Sequence, residues 1–204
     1  MKVYANTDHN FGDCIIFLCG LLNHAEEVLV SKTSSLSLKK LIEIADNLEE
    51  GHRIRFVDEP ATDYLKGPDI DEYNRVYQPM KMMWKNNDSG VISYQLRGGV
   101  FNGHLKDTPE QDVGLFVDAM SNHNRFPMEV GKKFSVAECI GIMCEADFHV
   151  TIDSGMMHLA CCVGAPIHII KNQYMYDLHV LSNVENKFVY DDIQDFLDRY
   201  ETNL

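Results

Sequence analysis

Within Asp147-Phe-His-Val-Thr-Ile-Asp-Ser-Gly-Met-Met-His-Leu-Ala-Cys-Cys-Val-Gly-Ala-Pro-Ile-His-Ile-Ile170, the residues Asp153, Ser154, Gly155 and His158 have the types and spacing of an anion-binding corner. A short polar side chain ahead of an apolar helical run accepts a hydrogen bond from a first-turn N–H, and a glycine beside it lets a ligand approach the backbone. The N–H groups of Gly155 and Met156, with the partial positive charge of a helix N-terminus, then attract phosphate. His158 follows Ser154 by one turn, where its ring adds a hydrogen bond or a proton on the same helical face. A structural reading stands beside each: an ordinary cap and turn for Asp153 to Gly155, and a satisfied, partly buried histidine for His158.

Strands and helices must hold such a corner, and the surrounding sequence supplies them. His149 to Ile152 is a short β-branched run, Met156 to Val163 has helix-compatible apolar spacing, and Gly164-Ala165-Pro166 stops that helix before the next strand. Upstream, Lys2 to Ala5 reads as a strand, Asn6 to Gly12 as a loop, and Asp13 to about His24 as a helix. A strand at Glu27 to Val30, an amphipathic helix at Leu36 to Leu48 and a strand at Arg53 to Val57 complete a βαβαβ alternation, which favours a parallel sheet. From Ala61 to about Met83 the periodicity decays around Gly67-Pro68 and Gln78-Pro79, as in a connection between lobes.

A second alternating unit follows. Val91 to Leu96 reads as a strand, Arg97-Gly98-Gly99 as a turn, Pro109 to Asn122 as a helix and Met128 to Val130 as a short strand. Ser135 to Ala146 is a helix whose Ser135 and Glu138 form a capping box. One last short strand is expected within His179 to Val189, and a C-terminal helix at Asp191 to Tyr200 capped by Asp191 or Asp192. The predicted class is α/β with two small Rossmann-like lobes, residues 1–75 and 76–204.

At 204 residues and 45% apolar composition the chain can bury a normal core. No apolar run approaches the roughly 18 residues that span a bilayer, and the N-terminus is unlike a secretory signal, so a cytoplasmic location with no membrane span is expected. Six cysteines, at 14, 19, 139, 144, 161 and 162, lie in apolar segments without a Cys-x-x-Cys pair and read as buried free thiols. His104, His123, His149, His168 and His179 are scattered without metal-ligand spacing, so metal-independent chemistry without a cofactor is expected. Met80, Met82 and Met83 beside Trp84 read as packing between lobes. The net charge of −13 argues against an extensive sequence-independent grip on nucleic acid, although a local patch can differ from the total.

Three segments in order, Ser135-Val-Ala-Glu-Cys139 through Ala146-Asp147, Asp153-Ser-Gly-Met-Met-His-Leu-Ala160, and Gly164-Ala-Pro166, resemble the C-terminal lobe of the heptosyltransferase-like glycosyltransferases. That family, the lipopolysaccharide heptosyltransferases, carries Asp-Ser/Thr-Gly-x-x-His-x-x-Ala followed by Gly-x-Pro. Its members also place a Gly-Asp pair at the opening of the first helix, as Gly12-Asp13 stands here. The resemblance implies a minimal GT-B-type architecture of two facing Rossmann-like lobes. Sugar nucleotide is then held mainly by the C-terminal lobe and acceptor by the N-terminal lobe.

Carried onto these positions, the resemblance makes Asp13 the general base that takes the acceptor hydroxyl's proton, with an N-cap as the competing role. Asp8, His9 and Gly12 form the acceptor side, Asp8 and His9 being the alternative bases. Asp153, Ser154, Gly155, Met156 and His158 contact the donor. Glu138 bonds a donor hydroxyl or serves only its capping box. Arg97, at the end of a strand where a crevice is expected, neutralises the departing diphosphate or is a surface turn arginine; the family places a lysine nearby, and Lys106 is the other candidate. The reading is a glycosyltransferase acting on a hydroxyl acceptor, a saccharide or lipopolysaccharide first and a hydroxylated DNA base second. So compact a chain fits a small genome such as a phage's. The rivals are a nucleotide-sugar hydrolase and a non-catalytic nucleotide-binding or sequestering protein.

Overall fold

The computed structural model describes residues 2–5, 11, 12, 15, 18, 19, 22, 25–32, 38–47, 50–58, 65, 66, 88–98, 100, 101, 104, 105, 107–131, 133–171 and 184–202. Lys2–Ala5 (β1), Glu27–Ser31 (β2), Ile54–Val57 (β3) and Leu65–Lys66 (β4) form one parallel sheet in the order β3-β2-β1-β4. The helix Leu38–Asn47 (α1) lies between β2 and β3 in the chain. β4 falls in the stretch that reads as a connection between lobes. Two residues cannot display an alternating pattern, and β4 is defined by backbone pairing alone, Val3 with Leu65 and Tyr4 with Lys66. Phe11, Gly12, Ile15, Leu18, Cys19 and Leu22 are helical, so the first helix starts ahead of the expected Asp13 and takes in Gly12.

The second sheet contains Val91–Gln95 (β5), Phe126–Glu129 (β8), Phe148–Thr151 (β9), Ile167–Ile170 (β10) and Lys187–Tyr190 (β11), in the order β11-β10-β9-β5-β8 with every pair parallel. Between β5 and β8 an antiparallel pair of two-residue strands, Val100–Phe101 (β6) and His104–Leu105 (β7), leaves no sequence signature. The helices are Glu110–Asn122 (α2), Val136–Glu145 (α3), Gly155–Val163 (α4) and Ile193–Thr202 (α5). Asp192 Oδ1 accepts from Asp195 N at 2.8 Å, which makes Asp192 the cap of α5, and Asp195 Oδ2 accepts from Asp191 N at 3.0 Å.

Alternation along the second sheet sends side chains to two cores. Ile92, Phe148, Val150 and Ile152 pack with Phe116 and Met120 of α2 and Phe196 and Leu197 of α5. On the other side, Ile167 and Ile169 pack with α3 and α4. That cluster continues without a break into Ile15, Leu18, Leu22, Val28, Val30 and Ile44, which belong to the first sheet and its helices. Polar contacts cross the same junction: Glu43 Oε2 accepts from Val136 N at 2.9 Å, and the Sγ atoms of Cys19 and Cys162 lie 3.6 Å apart. Cys19, Cys139, Cys144, Cys161 and Cys162 are thiols, with no disulfide among the described residues. Burial pushes the Cys161 thiol up to about 12, which leaves it unreactive at neutral pH.

Opposite the carboxyl edge of the second sheet, Asp147 ties three strand starts together. Its Oδ1 accepts from Ser89 N at 2.8 Å and Ser89 Oγ at 3.0 Å, and its Oδ2 from Gly90 N at 3.1 Å and Arg125 Nη1 at 2.7 Å. Ser89 and Gly90 lead into β5, Arg125 into β8, and Asp147 itself into β9. Asp147→Ala leaves the part-buried Gly90 and Arg125 donors and the exposed Ser89 donors without this acceptor and is expected to cost about 1–2 kcal/mol. The urea midpoint measures this; an unchanged midpoint would show that water replaces the carboxylate at no cost.

Candidate functional site

In the second sheet the chain runs from β5 outward to β8, then returns past β5 to β9 and continues to β10 and β11. Strand order therefore reverses between β5 and β9. At such a reversal the connections leave toward opposite faces, and a crevice opens at the carboxyl ends of the two strands. Those ends are Gln95 and Thr151, which pair in register.

Asp153 and Ser154 turn the chain from this point into α4. Ser154 is extended (φ −154°, ψ 168°), and its Oγ accepts from Met157 N at 3.4 Å, the bond expected of a helix cap. Its hydroxyl also donates to Gln95 Oε1 at 2.5 Å, so the cap of α4 is tied to the end of β5. At the other end Gly164 adopts the left-handed conformation (φ 83°) and donates to Ala160 O at 3.0 Å, which stops the helix where the sequence indicates.

A Cβ added to Gly155 would stand 2.6 Å from Phe11 Cδ1 and 3.0 Å from Gly12 N. The first residue of α4 thus lies against the early turn of the first helix, and only glycine fits that approach. Gly12 and Gly155, far apart in sequence and assigned to acceptor and donor sides, are brought together. Asp8, His9, Asp13 and Lys106 lie outside the described residues, and so do Asp69 and Asp71, an Asp-x-Asp spacing that the expectation of metal-independent chemistry overlooked.

Below the crevice, on the face covered by α3 and α4, is a second rung of polar residues. Ser93 and His149 pair in register two residues behind Gln95 and Thr151, and Ser93 Oγ lies 2.9 Å from His149 Nδ1. Thr151 Oγ1 donates to Ile152 O at 2.9 Å and lies 3.5 Å from Ser154 Oγ. Ser93, His149 and Thr151 are fully buried. Burial lowers the His149 pKa to about 3, so the ring is neutral, and its Nε2 has no hydrogen-bond partner among the described residues. Sequence reasoning missed Gln95, Thr151 and Ser93. The available signal was a polar residue closing each of two β-branched or aromatic runs, but their adjacency depends on strand order.

The other expected site residues are placed as follows. Met156 is half-buried and packs on the shared core, and His158 is buried within α4. Glu138 closes the capping box: Ser135 N donates to Glu138 Oε2 at 2.7 Å, and Ser135 Oγ accepts from Glu138 N at 3.2 Å. Arg97 pairs with Glu110 at 2.5 Å and Glu129 at 3.8 Å, on the β8 side of β5. Among the described residues no three His, Cys, Asp or Glu side chains form a metal-holding group, and no helix is long and apolar enough to cross a membrane.

No protein-family model matches the sequence, and no curated protein matches it. Among solved structures the chain is similar to the crystal structure of a glycosyl transferase family 9 protein from Veillonella parvula DSM 2008. The TM-score is 0.64 at 10% identity, over 99% of this chain and 89% of that one. The fold is shared with that glycosyl transferase. At so low an identity the likeness establishes the α/β architecture of parallel sheets, and the chemistry must be argued from the crevice.

Proposed function

We propose that the protein is a glycosyltransferase that moves a sugar from a nucleoside diphosphate sugar to a hydroxyl acceptor. The observation that carries this reading is the meeting of the α4 cap with the first helix at Gly155 and Gly12. That contact brings the turn read here as phosphate-binding against Gly12, the neighbour of Asp13 in sequence. The motif resemblance to heptosyltransferase-like enzymes and the likeness in fold support the same chemistry from different directions.

In this reading residues 76–204 hold the donor and residues 1–75 the acceptor. The N–H groups of Gly155 and Met156 and the positive end of α4 bind the diphosphate. Asp13 takes the acceptor proton as the hydroxyl oxygen attacks the anomeric carbon. The bond from that carbon to the diphosphate oxygen breaks, and nucleoside diphosphate leaves with the bonding electrons. Arg97 or Lys106 balances its charge without a metal. Arg97 must exchange Glu110 or Glu129 for the phosphate to do so, which favours Lys106. The acceptor is a saccharide such as lipopolysaccharide core; the acidic total charge weighs against duplex DNA. A cytoplasmic location belongs to the same reading.

Calorimetry against uridine, adenosine, guanosine and cytidine diphosphates is expected to find one clear binder, with affinity unchanged by a chelator. Failure of all four and of their sugar conjugates would remove the donor assignment. Binding or turnover lost in the chelator and restored by a divalent ion would instead direct attention to Asp69 and Asp71.

A further inference from the structure

Gln95 ends β5, half-buried between two strand-to-helix junctions, where the reversal of strand order predicts a crevice. On one side its Oε1 accepts from the Ser154 hydroxyl at the start of α4. On the other, a Cβ added to Gly131, just beyond β8, would lie 3.8 Å from Gln95 Cγ. With the carboxamide oxygen engaged by Ser154, the amide nitrogen is left with two N–H donors, and it makes no hydrogen bond within the described residues. The rung beneath is buried, closed by Ser93 and a neutral His149, and adds no cation to the crevice floor. A neutral donor at this point suits a group that is all acceptor.

We propose that Gln95 is a binding and positioning residue for the phosphates of the ligand. This rests on the nucleoside diphosphate reading given above. The carboxamide oxygen fixes the Ser154 cap, and the amide N–H groups donate to a phosphate oxygen seated at the start of α4. The residue discriminates by hydrogen-bond polarity: a carboxylate in its place keeps the size and the acceptor for Ser154 but turns the donor into a repelling charge.

The test is calorimetry with whichever nucleoside diphosphate the unaltered protein binds, applied to Gln95→Glu and Gln95→Leu at pH 8 and pH 5.5. A hydrogen bond to a charged group contributes enough that Gln95→Leu should weaken binding about 10-fold, and the added repulsion in Gln95→Glu about 100-fold at pH 8. Phosphate nearby raises the pKa of the introduced carboxyl, so at pH 5.5 Gln95→Glu should recover several-fold relative to the unaltered protein. A loss of affinity in the Glu variant that is the same at both pH values would assign Gln95 a structural role only and overturn the proposal. Undiminished affinity in both variants would overturn it as well. No binding by the unaltered protein would remove the nucleoside diphosphate reading, and this inference with it.

Discussion

Replacing Asp13 by Asn is expected to lower sugar transfer by roughly 100-fold or more, since general-base assistance is typically worth about 10² to 10⁴. Phe11 and Gly12 are already helical, which weighs against reading Asp13 as the cap of that helix. Asparagine keeps the size of aspartate and removes the proton acceptor. Stability should therefore change by less than about 1 kcal/mol, and nucleoside diphosphate affinity should stay unchanged because the diphosphate is assigned to α4. Initial rates of nucleoside diphosphate release in the presence of acceptor, with calorimetry and urea unfolding on the same preparations, separate these effects. Near-normal turnover would move the base to Asp8 or His9.

Acidification from pH 7.5 to pH 5 is expected to remove about 4 kcal/mol of folding stability through His149 and His168. Burial lowers their pKa values to about 3 and about 4 in the folded protein. His149 is closed in beneath α3 and α4. The His168 ring is stacked with Phe188 and Tyr190, centroids 5.0 and 5.6 Å away, and lies 4.7 Å from the tilted Phe148 ring, with Nδ1 2.8 Å from the Tyr190 hydroxyl. Unfolded, both rings protonate below about pH 6.5. Stability is therefore complete above about 6.5 and falls as pH drops, until the folded-state rings themselves protonate near 4 and 3. At pH 5 each ring lies about 1.5 pH units into that window, a loss of about 2 kcal/mol each. Against a total of about 5–15 kcal/mol, urea midpoints at the two pH values resolve such a change easily. His168→Leu should abolish about half of the pH dependence. Equal midpoints would mean that the rings are not held neutral.

The corner from His149 to Pro166 was legible because each of its signals is local: a β-branched strand, a serine cap, an apolar helical run and a glycine stop. The Ser135 and Glu138 capping box was legible for the same reason. Local signals also misled. Gly12 reads as the end of the loop ahead of the helix, yet it is helical where Gly155 approaches it. β4, β6 and β7, with two residues each, are too short for any period. Gln95 ends a strand like many polar residues, and only the reversal of strand order gives it Ser154 as a partner. Arg97 was identifiable as a cation at a strand end, but its carboxylate partners come from α2 and β8.

The apolar cluster that runs from Leu18 and Val28 through to Cys162 and Ile167 bears on how the protein can be divided. Cutting the chain between β4 and β5 would separate the sheets cleanly as topology, but each fragment would carry a raw apolar face. At about 25 cal/mol for each Å² of such surface, each fragment loses the burial of that shared face, and the second keeps only the core between its sheet and α2 and α5. Expressed separately, the pieces should be insoluble or find each other, and their recombination would report on the same interface that aligns Gly12 with Gly155. The two sheets are thus parts of one cooperative unit rather than modules that can be exchanged.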